Sequence, residues 1–175
     1  MNNSFSKSFR NLLIIYLMVI AIGVGVGIIY LFQQSQISPR GIVENYKGSE
    51  VDEEFEIQDK YSKSLPAMLI STHNHILGLA PIILSLCIIY YLLNSKNKVS
   101  TFLMVEPLIS LFITFGSLWL VRYVDSSFVI LTILSGIMMY LSIYLLIFIS
   151  IVKLVTNKNN IISNLMCIIG HEKNI

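Results

Sequence analysis

The chain is poor in charge, in cysteine and in histidine. Charged residues make up 13% of its 175 residues, against 55% that are hydrophobic. A soluble domain of that length could not cover so much apolar side chain with so little charge, which excludes a water-soluble globule and places the chain in the membrane class. The two cysteines, Cys87 inside an apolar run and Cys167 near the C-terminal end, cannot build a disulfide framework. Four prolines, nine glycines and the lack of any repeat or low-complexity tract indicate one domain over residues 1–175. No Cys-x-x-Cys-His, Walker, nucleophile-elbow or His-Glu-x-x-His pattern occurs, which argues against an enzyme, and nothing points to nucleic acid.

What is present is a set of four apolar runs, Asn11 to Phe32, Ile76 to Leu93, Val99 to Val121 and Phe128 to Val152. Each can cross a hydrocarbon core, which needs ~20 apolar residues, and isolated spanning backbone satisfies its amides in lipid only as helix. The predicted fold is therefore an all-α membrane protein, a four-transmembrane-helix bundle. Ser64 suits an N-cap and Pro66 a first helical turn, so the second span extends back toward residue 66. The spans then lie at about 11–32, 66–93, 99–121 and 128–152, with an outer loop at 33–65 and a cytoplasmic tail at 156–175.

The first run follows Lys7 and Arg10 as a secretory signal would, but it exceeds a signal core and no small-residue cleavage site follows, so it reads as an anchor. With both termini cytoplasmic, the inner face holds seven basic residues and the outer face five, the bias that orients membrane proteins. Tyr30, Tyr61, Trp119 and Tyr123 then fall at the outer interface, where aromatic side chains collect. Gly23 and Gly27 give the first span a thin face for packing within the bundle or for a homodimer. Ser38-Pro39-Arg40-Gly41 reads as a turn, and the acidic run Glu50 to Glu56 as solvated surface or a dock for cations or a basic partner. Ile161 to Gly170 is too short to cross and suits an interfacial helix, in which only position favours lipidation of Cys167.

The residues with most chemical potential are Ser71-Thr72-His73-Asn74-His75, at the start of the second span. Residues two apart on a helix point about 200° apart, so His73 and His75 cannot easily grip one ion. Met68, Thr72, His75 and Leu79 share one face, and His73 lies on another, so one imidazole is expected to look into the bundle. Arg122 and Asp125, at the end of the third span, are expected at the same depth as the histidine pair, where the arginine either snorkels or clamps an anion.

Glu106 is the one charge inside the runs and directly precedes Pro107. Such a carboxylate costs on the order of 2.5 kcal/mol unless it faces protein or water or takes a proton, and Lys153 is its expected partner. Ser110, Thr114 and Ser117 continue its face, either bonding back to their own helix or lining a proton or water path.

Haem b would need imidazole ligands, but His73 and His75 share a helix and His171 lies on the opposite side, leaving only a single-histidine haem. A copper or zinc site could draw on His73 or His75, Met68 and an acid of the outer loop. The simpler role of the pair is interfacial hydrogen bonding that fixes the outer loop.

Lys63-Ser64-Leu65, Thr72-His73-Asn74-His75, Gly116-Ser117-Leu118-Trp119-Leu120-Val121-Arg122-Tyr123 and Leu134-Ser135-Gly136 resemble an uncharacterised family of small four-span bacterial inner-membrane proteins with a Thr-His-x-His motif. The resemblance covers most of the chain after the first span. It implies the same topology and a joint importance of the histidine pair and the arginine, and no activity comes with it. The expectation is a non-enzymatic subunit or accessory protein of a bacterial cytoplasmic membrane, working at the outer mouth of helices two and three. Its partners would be the lipid bilayer and a larger membrane protein complex. The rival expectation is a redox carrier binding haem, quinone or a transition metal through His73 and His75.

Overall fold

The computed structural model describes residues 6–35, 38–49, 60–93 and 98–171, with side chains described outside 34–35 and 157–171. They form α1 (Lys7–Ser35), α2 (Pro39–Lys47), α3 (Leu65–Leu93), α4 (Lys98–Tyr123) and α5 (Val129–His171), with a 3-10 turn at Ser126–Phe128; no strand occurs among the described residues. α1, α3, α4 and α5 each contain a stretch long and apolar enough to span a membrane. The class is therefore the all-α four-span one expected, and large apolar side chains such as Ile22, Val99, Phe112 and Phe148 face outward, as lipid contact requires.

The helix starts follow local rules. At α3, Ser64 Oγ accepts from the Ala67 N–H at 3.4 Å while its carbonyl accepts from Met68 N. The stretch read as a turn is instead the start of α2. Ser38 caps it by accepting from Gly41 N at 3.0 Å, and Pro39 occupies the first turn, where its missing N–H does no harm. A Ser-Pro pair signals a turn and a helix start alike, and the amphipathic residues that follow decide between them. α2 ends at Gly48, whose φ of 96° is the left-handed geometry glycine tolerates. α5 runs unbroken through Asn157 to Asn160, rather than stopping before a separate interfacial helix, because neither glycine nor proline interrupts that stretch. The acidic run Glu50 to Glu56, turn residues 94–97 and the Cys167 side chain lie outside what is described.

The most extensive contact is between α4 and α5. Half of the most apolar window of α4 is buried, against 11% of that of α1. α1 leans on its neighbours through Leu17 and Val24, a 2.6 Å hydrogen bond between the Tyr16 hydroxyl and Ser85 Oγ, and a 3.2 Å bond from the Tyr144 hydroxyl to the Ala21 carbonyl. The glycine that permits this approach is Gly25, where a Cβ would stand 3.2 Å from the Tyr144 oxygen. Gly23 and Gly27, expected at a close contact, have nothing within 4 Å of that position.

Candidate functional site

Two polar regions emerge, one at the end of the bundle covered by α2 and one in the α4–α5 interface. At the α2 end, the five-residue polar motif is divided by its helical phase. Ser71 shares a side-chain hydrogen bond with the Tyr46 hydroxyl of α2. Thr72 Oγ1 accepts from Trp119 Nε1 of α4 at 2.9 Å. His75 lies 2.7 Å through Nδ1 from the Ser71 carbonyl and stacks obliquely on Phe115 of α4, with centroids 4.9 Å apart. A carbonyl can only accept, so Nδ1 donates and the neutral ring keeps its lone pair on Nε2. His73 and Asn74 are exposed, as is His75.

α2 is tied over this end. The Lys63 N–H donates to the Tyr46 carbonyl at 3.1 Å, and the Lys63 ammonium sits 4.0 Å over the Tyr46 ring. Lys47 reaches Ser126 Oγ at 3.2 Å, and Arg40 pairs with Glu44 at 2.7 Å. Burial raises the Tyr46 phenol above its ordinary value and lowers the Lys63 ammonium below its own. The Asp125 carboxylate caps the 3-10 turn by accepting from Ser127 N at 2.8 Å, and its bonds with Ser127 hold it below the ordinary carboxylate value.

Arg122 does not join the imidazoles. Its Nε donates to the Lys63 carbonyl at 2.9 Å and its guanidinium lies 5.0 Å from the Tyr123 ring centroid. Lys63 precedes His75 by twelve residues, so the arginine is anchored on the order of 15 Å along α3 from the ring it was expected to meet. Antiparallel pairing set the helices side by side as expected, but the arginine reached past the motif to the helix entrance. Met68, 1% exposed, is two turns before His75, and His73 faces elsewhere, so the three residues named for a metal do not converge. Among the described residues, no three of His, Cys, Asp or Glu could together hold a metal ion.

The second region is a buried seam of small polar side chains. Thr114 Oγ1 lies 2.8 Å from Ser135 Oγ, and Ser117 Oγ 2.7 Å from Thr132 Oγ1. These pairs set the antiparallel register of α4 and α5. Each hydroxyl also meets a carbonyl of its own helix: Thr114 to Ser110, Ser117 to Thr114, Thr132 to Phe128, Ser135 to Leu131. Ser110 donates to Glu106 Oε1, whereas Glu106 Oε2 and Ser150 Oγ are buried with no hydrogen-bond partner.

The register corrects the expected ion pair. It sets Glu106 level with Ile143, ten residues and about 15 Å from Lys153, too far for the two side chains to meet. Lys153 is exposed, and no ion pair joins it to Glu106 among the described residues. Sequence reasoning named Thr72, Trp119 and Arg122 but missed Tyr46 and the Lys63 carbonyl. Tyr46 carried a signal in the helical phase of 39–47; a backbone acceptor carries none.

A family model for a transmembrane helical domain matches residues 36–161, most of the chain, starting after α1. No curated protein and no solved structure matches.

Proposed function

The chain belongs to the Aq_1264_TM family of transmembrane helical domains, and from that premise we propose that it acts as a non-enzymatic subunit or accessory protein of a larger complex in a bacterial cytoplasmic membrane. Both termini face the cytoplasm in this reading, which rests on the bias of basic residues. The docking surface is the His73–Asn74 edge of α3. One observation carries the reading: of five consecutive polar residues, Ser71 and Thr72 bond to other helices and the exposed His75 bonds to its own, while His73 and Asn74 stand exposed beside them at the rim of the apolar run. Polar side chains at that depth gain when a neighbouring protein supplies hydrogen bonds that lipid cannot. The test is purification from native membranes in mild detergent. A stoichiometric companion protein should be lost from the paired variant His73→Ala, Asn74→Ala and kept by Phe148→Ala, which alters an apolar outward face. Equal retention by both variants rules the edge out, and a lone monomer in every preparation rules out the subunit role.

A redox carrier is the second reading, favoured by the His75 ring, whose Nδ1 bond to Ser71 leaves Nε2 able to bind a haem or transition-metal centre or a quinone oxygen. A Soret band or stoichiometric copper or zinc, lost in His75→Ala, would establish it. Homodimerisation through the open Gly23 and Gly27 positions would appear as doubled mass in detergent, reversed by Gly23→Leu.

A further inference from the structure

We infer that Glu106 is a proton-binding site closed inside the bundle, occupied by a proton on Oε2 while Ser110 holds Oε1. The carboxyl is 8% exposed, one oxygen has a donor, and the other has none. A bare carboxylate in a span costs roughly 2.5 kcal/mol or more, so something positive must offset it. No cationic side chain does so, since Glu106 forms no ion pair among the described residues. Metal cations such as magnesium and calcium need about six or more oxygen ligands, far more than one carboxyl and one serine provide, whereas a proton needs one.

The surrounding groups agree. The titratable side chains that α3 and α5 contribute to the core are Cys87, whose Sγ donates to the Met104 carbonyl at 3.2 Å, Tyr90, Tyr140 and Tyr144. None of these is a cation. The charged groups of α1 (Lys7 and the buried Arg10), of α2 (Arg40, Glu44, Lys47) and of the ends of α4 and α5 (Lys98, Arg122, Lys153) lie toward the ends of their helices, none of them paired with Glu106 among the described residues, and His75 stacks on Phe115 about 13 Å along α4. Pro107 offers no N–H to the Leu103 carbonyl one turn before it, so that carbonyl lacks its helical donor.

The seam is not a conducting wire. Its hydroxyls terminate on backbone carbonyls, and Thr114 reaches the carbonyl of Ser110 rather than its hydroxyl. The second unpartnered polar atom, Ser150 Oγ, lies about 10 Å beyond Glu106 toward the Lys98 end.

The experiment is labelling of the full chain in detergent or liposomes with dicyclohexylcarbodiimide, a hydrophobic reagent that attacks protonated carboxyls. Glu106 should be the modified residue by peptide mass, with the rate falling about tenfold per pH unit above the midpoint, as expected when only the acid form reacts. Glu106→Gln should be unlabelled. Should that variant fail to fold, Ser110→Ala serves instead: it removes the donor to Oε1, and labelling should persist to higher pH. Equal reaction with a water-soluble carbodiimide, no labelling at any pH, or protection by sodium or lithium would each overturn the proposal. Proton flux across liposomes that depends on Glu106 would overturn its closed form.

Discussion

The α2 end and the α4–α5 seam resolve the same problem, polar side chains in an apolar bundle, in opposite ways. At the α2 end each inward polar group meets a partner from another element: Ser71 with Tyr46, Thr72 with Trp119, Arg122 with the Lys63 carbonyl. In the seam the hydroxyls are paired, but Glu106 Oε2 and Ser150 Oγ are left bare. Full pairing makes a fixed joint, whereas a bare buried oxygen costs stability and is retained for what it binds. The α2 end is therefore structural toward the bundle and presents only its outer edge, while the seam holds an internal site.

The largest test of that contrast is Glu106→Met, which keeps the volume and removes the bare oxygen. It should stabilise the protein by roughly 2 kcal/mol, read as a higher thermal midpoint in detergent. A loss of stability would make Glu106 part of the fabric, like the mouth. The next is a double-mutant cycle on Trp119→Phe and Thr72→Val, where a coupling of about 0.6 kcal/mol is expected for an interhelical bond in a membrane protein. Zero coupling would dissolve the joint and erase the difference between the two regions. Smallest is the pH response of the 3-10 turn that Asp125 caps. Its carboxyl sits below its unfolded value of 3.8, so the stabilisation is complete above that value and is lost as pH falls through the lower folded one. Amide exchange at Ser127 should rise only in that acid range, and Asp125→Asn should remove the dependence.

The four spans were legible because lipid leaves helix as the one way to satisfy an isolated spanning backbone, and length and apolar content suffice to see it. The family match begins at residue 36, after α1, and α1 is also the span least buried by its neighbours. Sequence alone could not show this, since α1 is as apolar as the rest. Tyr46, Trp119 and Thr72 stood in the sequence as separate polar or aromatic positions, and only the antiparallel register of α3 with α4 and the docking of α2 paired them. The Glu106–Lys153 expectation failed for the same reason. Opposite charges on neighbouring helices suggest a partner, but depth is set by the register, which the Thr114–Ser135 and Ser117–Thr132 bonds determine.

What the amino acids decided by themselves was the count and chemistry of the spans, the caps at Ser38, Ser64 and Asp125, and the presence of one buried acid. These depend on local hydrogen bonding and on transfer from water, which act over a few residues or along one helix. Tertiary structure decided which imidazole packs on Phe115, that Arg122 reaches the Lys63 carbonyl, and that Glu106 has no ion pair among the described residues. Those outcomes turn on the rotation and offset of one helix against another, quantities that many side-chain contacts fix together and that no single stretch of sequence contains.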